Sequence, residues 1–239
     1  LLADTFNNYF EPGNLEAARR VLEAAGFAVV AARGKDPRPL CCGRTYLSAG
    51  MVDRAKAESR RMIDALAPWI ERGVPVVGLE PSCLYSLRDE FLAMHPGDAR
   101  AGALAGLAVT FDSFVAKAVR EGAKIAWRDG AAPEYLVHGH CHQKAFGAFE
   151  DTLAALRAVP GAKVTAIESS CCGMAGSFGH EHYDVSMAMG EASLLPAVRA
   201  AGQGTTVVAA GTSCRHQIDH GASRAAVHPA VALAAALAP

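Results

Sequence analysis

The stretch ESSCCGMAGSFGH, residues 168–180, places two cysteines side by side and follows them with glycines. Adjacent residues of a strand face opposite ways, and adjacent residues of a helix do not share a face. Cys171 and Cys172 can therefore reach one small object only where the chain turns sharply. Gly173 and Gly176 are the residues that permit such a turn. Three explanations fit the pair: a metal cluster wrapped by the turn, a strained disulfide, or two unrelated buried thiols.

The rest of the chain repeats this pattern. LCCG at 40–43 resembles SCCG at 170–173, and VVGLEPSC at 76–83 resembles VVAAGTSC at 207–214. Cys83 follows Cys42 by 41 positions, and Cys214 follows Cys172 by 42. Cys141, in LVHGHCHQKAF, precedes Cys171 by 30 positions. Spacing puts the corresponding place of the first half near Phe6, 35 positions before Cys41. Internal similarity at this scale is the mark of a duplicated unit. The expected repeats span residues 1–125, with an incomplete cysteine set, and residues 133–239, with four cysteines. REGAKIAWRDGAAP falls at the join.

Hydrophobic periodicity gives both halves the same element order. In the first half, LLADTF reads as a strand, 14–25 as a helix stopped by Gly26, and FAVVAA as a strand. After CCG, 52–72 reads as a long helix and VPVVGLE as a buried strand, and Cys83 opens a helix through Arg88 and Phe91. In the second half, strand EYLVHG precedes a helix over 143–157, strand KVTAIE and the CCG turn. A helix over 184–200, strand TTVVAAG and Cys214 at the next turn follow. VHPAVALAAALAP reads as a packed C-terminal helix. Alternating strands and helices predict an α/β fold of two pseudo-symmetric repeats, each a small parallel sheet flanked by helices. Right-handed crossovers put the strand carboxyl ends on one edge, the edge where open α/β sheets bind ligands. The cysteines follow those ends, so three separated stretches converge in each half.

Composition narrows the chemistry. Half of the 239 residues are hydrophobic, a fifth are charged and the net charge is −1. Neither nucleic-acid nor membrane-surface binding has electrostatic support. No apolar run is long enough for a transmembrane segment, and no signal peptide is visible. Opening on LLADTF, the sequence reads as a piece of a larger protein. Seven cysteines is an odd number, so internal disulfides cannot use them all. With no secretion signal, the expected setting is cytoplasmic, where metal binding outranks disulfides.

Cys141, Cys171, Cys172 and Cys214 match the demand of an iron–sulfur cluster for thiolates. Several precede predicted helices, whose N-terminal N–H groups stabilise a thiolate. Zinc is the rival ligand, and Cys41, Cys42 and Cys83, with no fourth cysteine, suit zinc or an empty site better. His138, His140, His142, His180, His182, His216 and His220 lie near cysteines in sequence, as candidate ligands or as hydrogen-bonding neighbours. No Rossmann glycine fingerprint, phosphate loop or nucleophile elbow is present. A thiol–disulfide enzyme using Cys171 and Cys172 would leave Cys141 and Cys214 unexplained.

The two CCG motifs, each with a cysteine about 40 positions on, resemble the cysteine-rich CCG domain. That domain occurs in a subunit of heterodisulfide reductase, in iron–sulfur subunits of glycolate oxidase and anaerobic glycerol-3-phosphate dehydrogenase, and in lactate-utilisation proteins. More narrowly, DTFNNYFEP, RPLCCGRTYLSAGM, HGHCHQKA, CCGMAGSFG and EHYDVSMAMGE are similar to the C-terminal part of FAD-linked oxidases of the D-lactate and D-2-hydroxyglutarate dehydrogenase type.

The resemblance implies an iron–sulfur electron-transfer module, with a 4Fe-4S cluster on Cys141, Cys171, Cys172 and Cys214. Cys41, Cys42 and Cys83 would be a second, incomplete set holding zinc or nothing. It implies FAD on an upstream oxidase domain that does the hydride chemistry, a ferredoxin-like segment, and an acceptor such as a quinone or cytochrome. The chain itself would lack the substrate-oxidising site and be cytoplasmic, or peripheral on the inner face of the membrane. A zinc-binding structural or docking module is the alternative. Ser86 and Gln217 stand where heterodisulfide reductase has further cysteines, which weighs against its five-cysteine cluster, and Phe6 replaces the opening cysteine of the first repeat.

Overall fold

The computed structural model describes residues 1–34 and 38–239. Two compact units share the chain. The first comprises residues 1–15 and 28–111, the second residues 16–27 and 112–239.

In the first unit, α1 (Thr5–Tyr9) leads into α2 (Pro12–Ala24), whose later residues belong to the second unit. Then come α3 (Arg44–Ser48), α4 (Val52–Ile70), β1 (Val76–Gly78), α5 (Pro81–Arg88), α6 (Glu90–Met94), α7 (Ala99–Leu107) and β2 (Ala108–Thr110). Helix α4 buries Ala55, Met62, Ile63, Leu66 and Ile70, three to four residues apart on one face. They pack with Leu84, Leu87, Phe91 and Leu104 around the two-stranded parallel sheet β1–β2. Cys42 and Cys83 belong to this core.

The second unit holds α8 (Phe111–Arg120), β3 (Glu134–His138), α9 (Cys141–Ala145), α10 (Phe149–Arg157), β4 (Lys163–Ala166), α11 (Phe178–Glu181) and α12 (Tyr183–Glu191). It continues with α13 (Leu194–Ala200), β5 (Thr206–Ala209), α14 (Thr212–Ala222), β6 (Ala226–Val227) and α15 (Pro229–Ala236). Its sheet is wholly parallel, in the order β4-β3-β5-β6. Val207, Val208 and Ala209 of β5 are all buried, as expected for a strand covered on both faces. The chain runs from β3 outward to β4, then returns to β5 on the other side. A doubly wound sheet opens a crevice at such a reversal, outside the carboxyl ends of its strands.

Two expected strands are absent. LLADTF bonds from the Leu1 amino group to the Val30 carbonyl at 2.6 Å and from the Leu2 N–H to the Val77 carbonyl at 2.8 Å, and then turns into α1. Asp4 ends the extended stretch because its carboxylate caps that helix, accepting from the Phe6 and Asn7 N–H groups at 3.0 Å. FAVVAA lies outside any strand, and Phe27 packs its ring on Phe114 at 4.9 Å instead. Three expected helices are each split, the one expected through Arg88 and Phe91 at Asp89, between α5 and α6. Gly147, at φ +67°, ends α9 before α10 begins, and Ser193, at φ −160°, separates α12 from α13. The unforeseen β2 and β6 are only three and two residues long, too short for a periodic signal.

The turns after the cysteine pairs are held in a conformation that only glycine adopts cheaply. Gly43 has φ +78° and Gly173 φ +95°. A Cβ on Gly43 would lie 2.9 Å from the Ala55 carbonyl oxygen, and one on Gly173 would lie 2.3 Å from that of Ser186. The first pair is thus pressed against α4 and the second against α12. Gly173→Ala should destabilise the second unit by about 2–4 kcal/mol in guanidinium denaturation, through left-handed strain and the carbonyl contact together. A loss below about 0.5 kcal/mol, the range of an inconsequential surface change, would show that the turn relaxes freely.

Candidate metal centre

Three strand ends deliver the cysteines of the second unit. Cys141 is the first residue of α9, just beyond β3. Cys171 and Cys172 follow β4, and Cys214 sits in the first turn of α14, just beyond β5. The expected convergence is present: side-chain hydrogen bonding links Cys141 to Cys171, Cys171 to Cys172, and Cys172 to Cys214. Cys141 is exposed, Cys171 half-buried, and Cys172 and Cys214 buried.

Protons alternate along this row. Cys141 donates to Cys171 and is held well above the usual thiol range, with burial adding to the effect. Cys171 accepts from Cys141 and Cys172, and the Gly173 N–H points at its Sγ from 3.4 Å. It is held far below that range. Cys172 donates to Cys171 and to Cys214 and is pushed up. Cys214 accepts from Cys172 and is drawn down despite complete burial, with His138 and His140 assisting. Along the row, raised and lowered thiols therefore alternate.

The surroundings hold this arrangement. Gln143 donates to the buried carboxylate of Asp112 at 2.6 Å and to Thr152 at 3.0 Å, while its Oε1 accepts from the His140 N–H at 3.2 Å. That clamp fixes the start of α9, and with it Cys141. Lys144 donates to the carbonyls of Ser169 and Ser170, which places an ammonium beside the thiols. Gly139 leaves room for its stem, since a Cβ there would lie 2.8 Å from Lys144 Cε. Gly211 makes room for the His140 ring, 2.3 Å from where a Cβ would stand. His138 Nδ1 lies 2.9 Å from Ser169 Oγ. Its buried Nε2 has no partner within hydrogen-bonding distance, although the ring is near enough to favour the Cys214 thiolate.

The first unit repeats the cradle with a different charge. The Gly43 N–H lies 3.4 Å from Cys41 Sγ, the same distance as in the second unit. Cys83 is in the first turn of α5, as Cys214 is in α14. Cys41 donates to Cys42 and is pushed up, with burial contributing. Cys42 accepts from Cys41, but its bond to Cys83 and its burial leave it raised. Cys83 accepts from Cys42, yet burial and the carboxylates of Asp4 and Glu80 raise it as well. No thiol of this set is drawn down.

Thr5 opens α1 as Cys141 opens α9, and its side chain hydrogen-bonds Cys41. The residue matching Cys141 is therefore Thr5, not Phe6. The helix start, which spacing alone missed by one position, defines the match. Asp4, Glu80 and Lys144 also escaped the sequence reading, since nothing in their local pattern marks them as neighbours of the thiols. Of the histidines, His138 and His140 neighbour the thiols, and His142 is half-buried on α9. His180 and His216 are exposed, His182 stacks on Phe178 at 4.8 Å, and His220 Nε2 meets Tyr183 Oη at 2.9 Å. Ser86 and Gln217 are buried and bond structurally, Ser86 to the Ser82 carbonyl and Gln217 to the carbonyl and hydroxyl of Ser186.

The donor set of the second unit fits a thiolate-bound group: four sulfurs, an N–H aimed at one of them, a nearby cation and an unpartnered imidazole nitrogen. Among the described residues, no three His, Cys, Asp or Glu side chains already surround one point as a single ion requires.

Cysteines gathered at the carboxyl edges of parallel sheets, twice in one chain, define a cysteine-rich α/β repeat protein. The cysteine-rich domain family, CCG, matches residues 5–88 and again 135–219, and the chain belongs to that family. It is 28% identical over 236 residues to a subunit of the anaerobic glycerol-3-phosphate dehydrogenase of Escherichia coli (strain K12), covering 98% of this chain and 57% of that one. It is 27% identical over 237 residues to D-2-hydroxyglutarate dehydrogenase of the same organism, covering 98% of this chain and 22% of that one. With lactate utilization protein A of Bacillus velezensis it shares 28% identity over 183 residues, 73% of this chain and 71% of that one. The chain thus spans little more than half of the first relative and about a fifth of the second.

Cys41 and Cys171 are both half-buried, so their reactivities compare ionisation rather than access. In reduced, metal-free protein at pH 7, iodoacetamide should label Cys171 at least about tenfold faster than Cys41, because the thiolate is the nucleophile. Peptide mass spectrometry reads both rates. Equal rates would show that the two units do not differ in thiol ionisation.

Proposed function

We propose that this chain is the electron-transfer part of a dehydrogenase, with an iron–sulfur cluster on Cys141, Cys171, Cys172 and Cys214. The carrying observation is the convergence of four cysteines beyond the carboxyl ends of β3, β4 and β5, at the switch point of a parallel sheet, with two of them drawn below the usual thiol range. When bound, such a cluster takes up and passes on single electrons. The chain's own residues provide the ligands, aim the Gly173 N–H at one sulfur, and place Lys144 and His138 to offset negative charge. Hydrogen bonds and charge of this kind tune a centre's potential.

In this reading the cluster is of the four-iron type, and residues 1–125 and 133–239 are the two repeats. Cys41, Cys42 and Cys83, a set of three cysteines, hold zinc or nothing. The parent activity is oxidation of a 2-hydroxyacid of the D-lactate or glycolate type by an FAD domain outside this chain. Two relatives support that substrate class, being named for 2-hydroxyglutarate and lactate, while the third is named for glycerol 3-phosphate. A ferredoxin-like segment would lie between flavin and this module, and a quinone or cytochrome would accept the electrons. No helix among the described residues is long and apolar enough to cross a membrane. The module would work in the cytoplasm or at the inner membrane face.

Anaerobically purified protein should carry about four irons and four sulfides per chain, with visible absorbance that disappears in Cys171→Ser. Stoichiometric zinc without iron, even after anaerobic reconstitution, would replace this reading with a structural zinc module.

A further inference from the structure

We propose that Thr5 occupies the fourth ligand position of the first unit, so that this one residue separates a three-thiol site from a four-thiol site. The inference rests on the cluster assignment made above for the second unit.

Three features set the register. Asp4 caps α1 through the Phe6 and Asn7 N–H groups, and His140 caps α9 through the His142 N–H at 3.1 Å. The third helical residue is fully buried in both cases, and each bonds back to its cap. Asn7 Nδ2 donates to Asp4 Oδ2 at 2.8 Å, and Gln143 Oε1 accepts from the His140 N–H at 3.2 Å. The residue between cap and second helical position is Thr5 in one unit and Cys141 in the other. Each then bonds the first cysteine of its unit's vicinal pair, Thr5 to Cys41 and Cys141 to Cys171.

The remaining parts of the cradle are alike. Gly43 and Gly173 present their N–H groups to Cys41 and Cys171 at the same distance, and Cys83 and Cys214 occupy the same turn of α5 and α14. Phe6 is a poor candidate for the missing position, because it lies one residue further along α1 and stacks on Phe10 at 6.2 Å. A threonine hydroxyl stays protonated where a thiol ionises, so it does not serve as the fourth anionic ligand that such a cluster takes from cysteine. Thr5 accordingly leaves the first unit one ligand short.

The test is anaerobic reconstitution with ferrous iron and sulfide, followed by iron and sulfide analysis and electron paramagnetic resonance of the reduced protein. Native protein should hold about four irons per chain and Thr5→Cys about eight, with Thr5→Ser and Phe6→Cys remaining near four. Cys141→Thr should fall to near zero, and Thr5→Cys combined with Cys141→Thr should recover about four, now in the first unit. Thr5→Cys with native circular dichroism and native iron content would overturn the inference, as would an equal gain in Phe6→Cys. Should Thr5→Cys fail to fold, recovery of iron in the double variant decides. Native protein without iron would instead overturn the cluster assignment, and this inference with it.

Discussion

The structure depends on one local constraint: two neighbouring thiols must face the same space. Backbone geometry forbids that in a regular strand or helix, so the chain turns after each pair at a glycine with positive φ. Each turn holds because a helix lies against it, α4 in the first unit and α12 in the second, with the Ala55 and Ser186 carbonyls where any larger residue would need room. Given that turn, one N–H of the glycine points back at a sulfur, and the second cysteine of the pair enters the core. The parallel strands bring the other cysteines to the same edge.

Charge, as well as the number of thiols, separates the two copies. Around the second set stand His138, His140 and Lys144, and two of its four thiols are drawn down. Around the first stand Asp4 and Glu80, and all three thiols are raised. Asp4 takes the capping place that His140 fills in the second copy, so a carboxylate stands where the other unit has an imidazole. Removing a charge from water is expensive, and a buried thiolate survives only where a donor or cation compensates it. A shared backbone cradle can therefore favour ionisation of some thiols in one unit and of none in the other.

Much of the fold was legible in the chain because its signals are local. The long apolar face of α4, the buried run of β5 and the glycines after the cysteine pairs each announce themselves within a few residues. The failures have equally local causes. FAVVAA carries a strand's composition but finds no strand to pair with, and its first aromatic packs elsewhere. The helices expected over 143–157 and 184–200 were overextended, because Gly147 and Ser193 leave helical geometry without breaking the hydrophobic period. The equivalence of Thr5 with Cys141 was obscured by counting residues across loops of unequal length, whereas helix caps mark it directly.

The amino-acid sequence by itself determined the duplication, the α/β class, the cysteines concerned and the edge at which they meet. Those follow from spacing, periodicity and the handedness of crossovers, all of which are properties of the chain order. Only the tertiary structure decided which charges stand beside the thiols and which residue of α1 matches Cys141. These depend on side chains remote in sequence being brought within a few ångströms. Lys144 meets the Ser169 and Ser170 carbonyls and Gln143 meets Asp112 only once strands and helices have packed. Proton position and electrostatics are set by such neighbours, and no short stretch of the chain contains them.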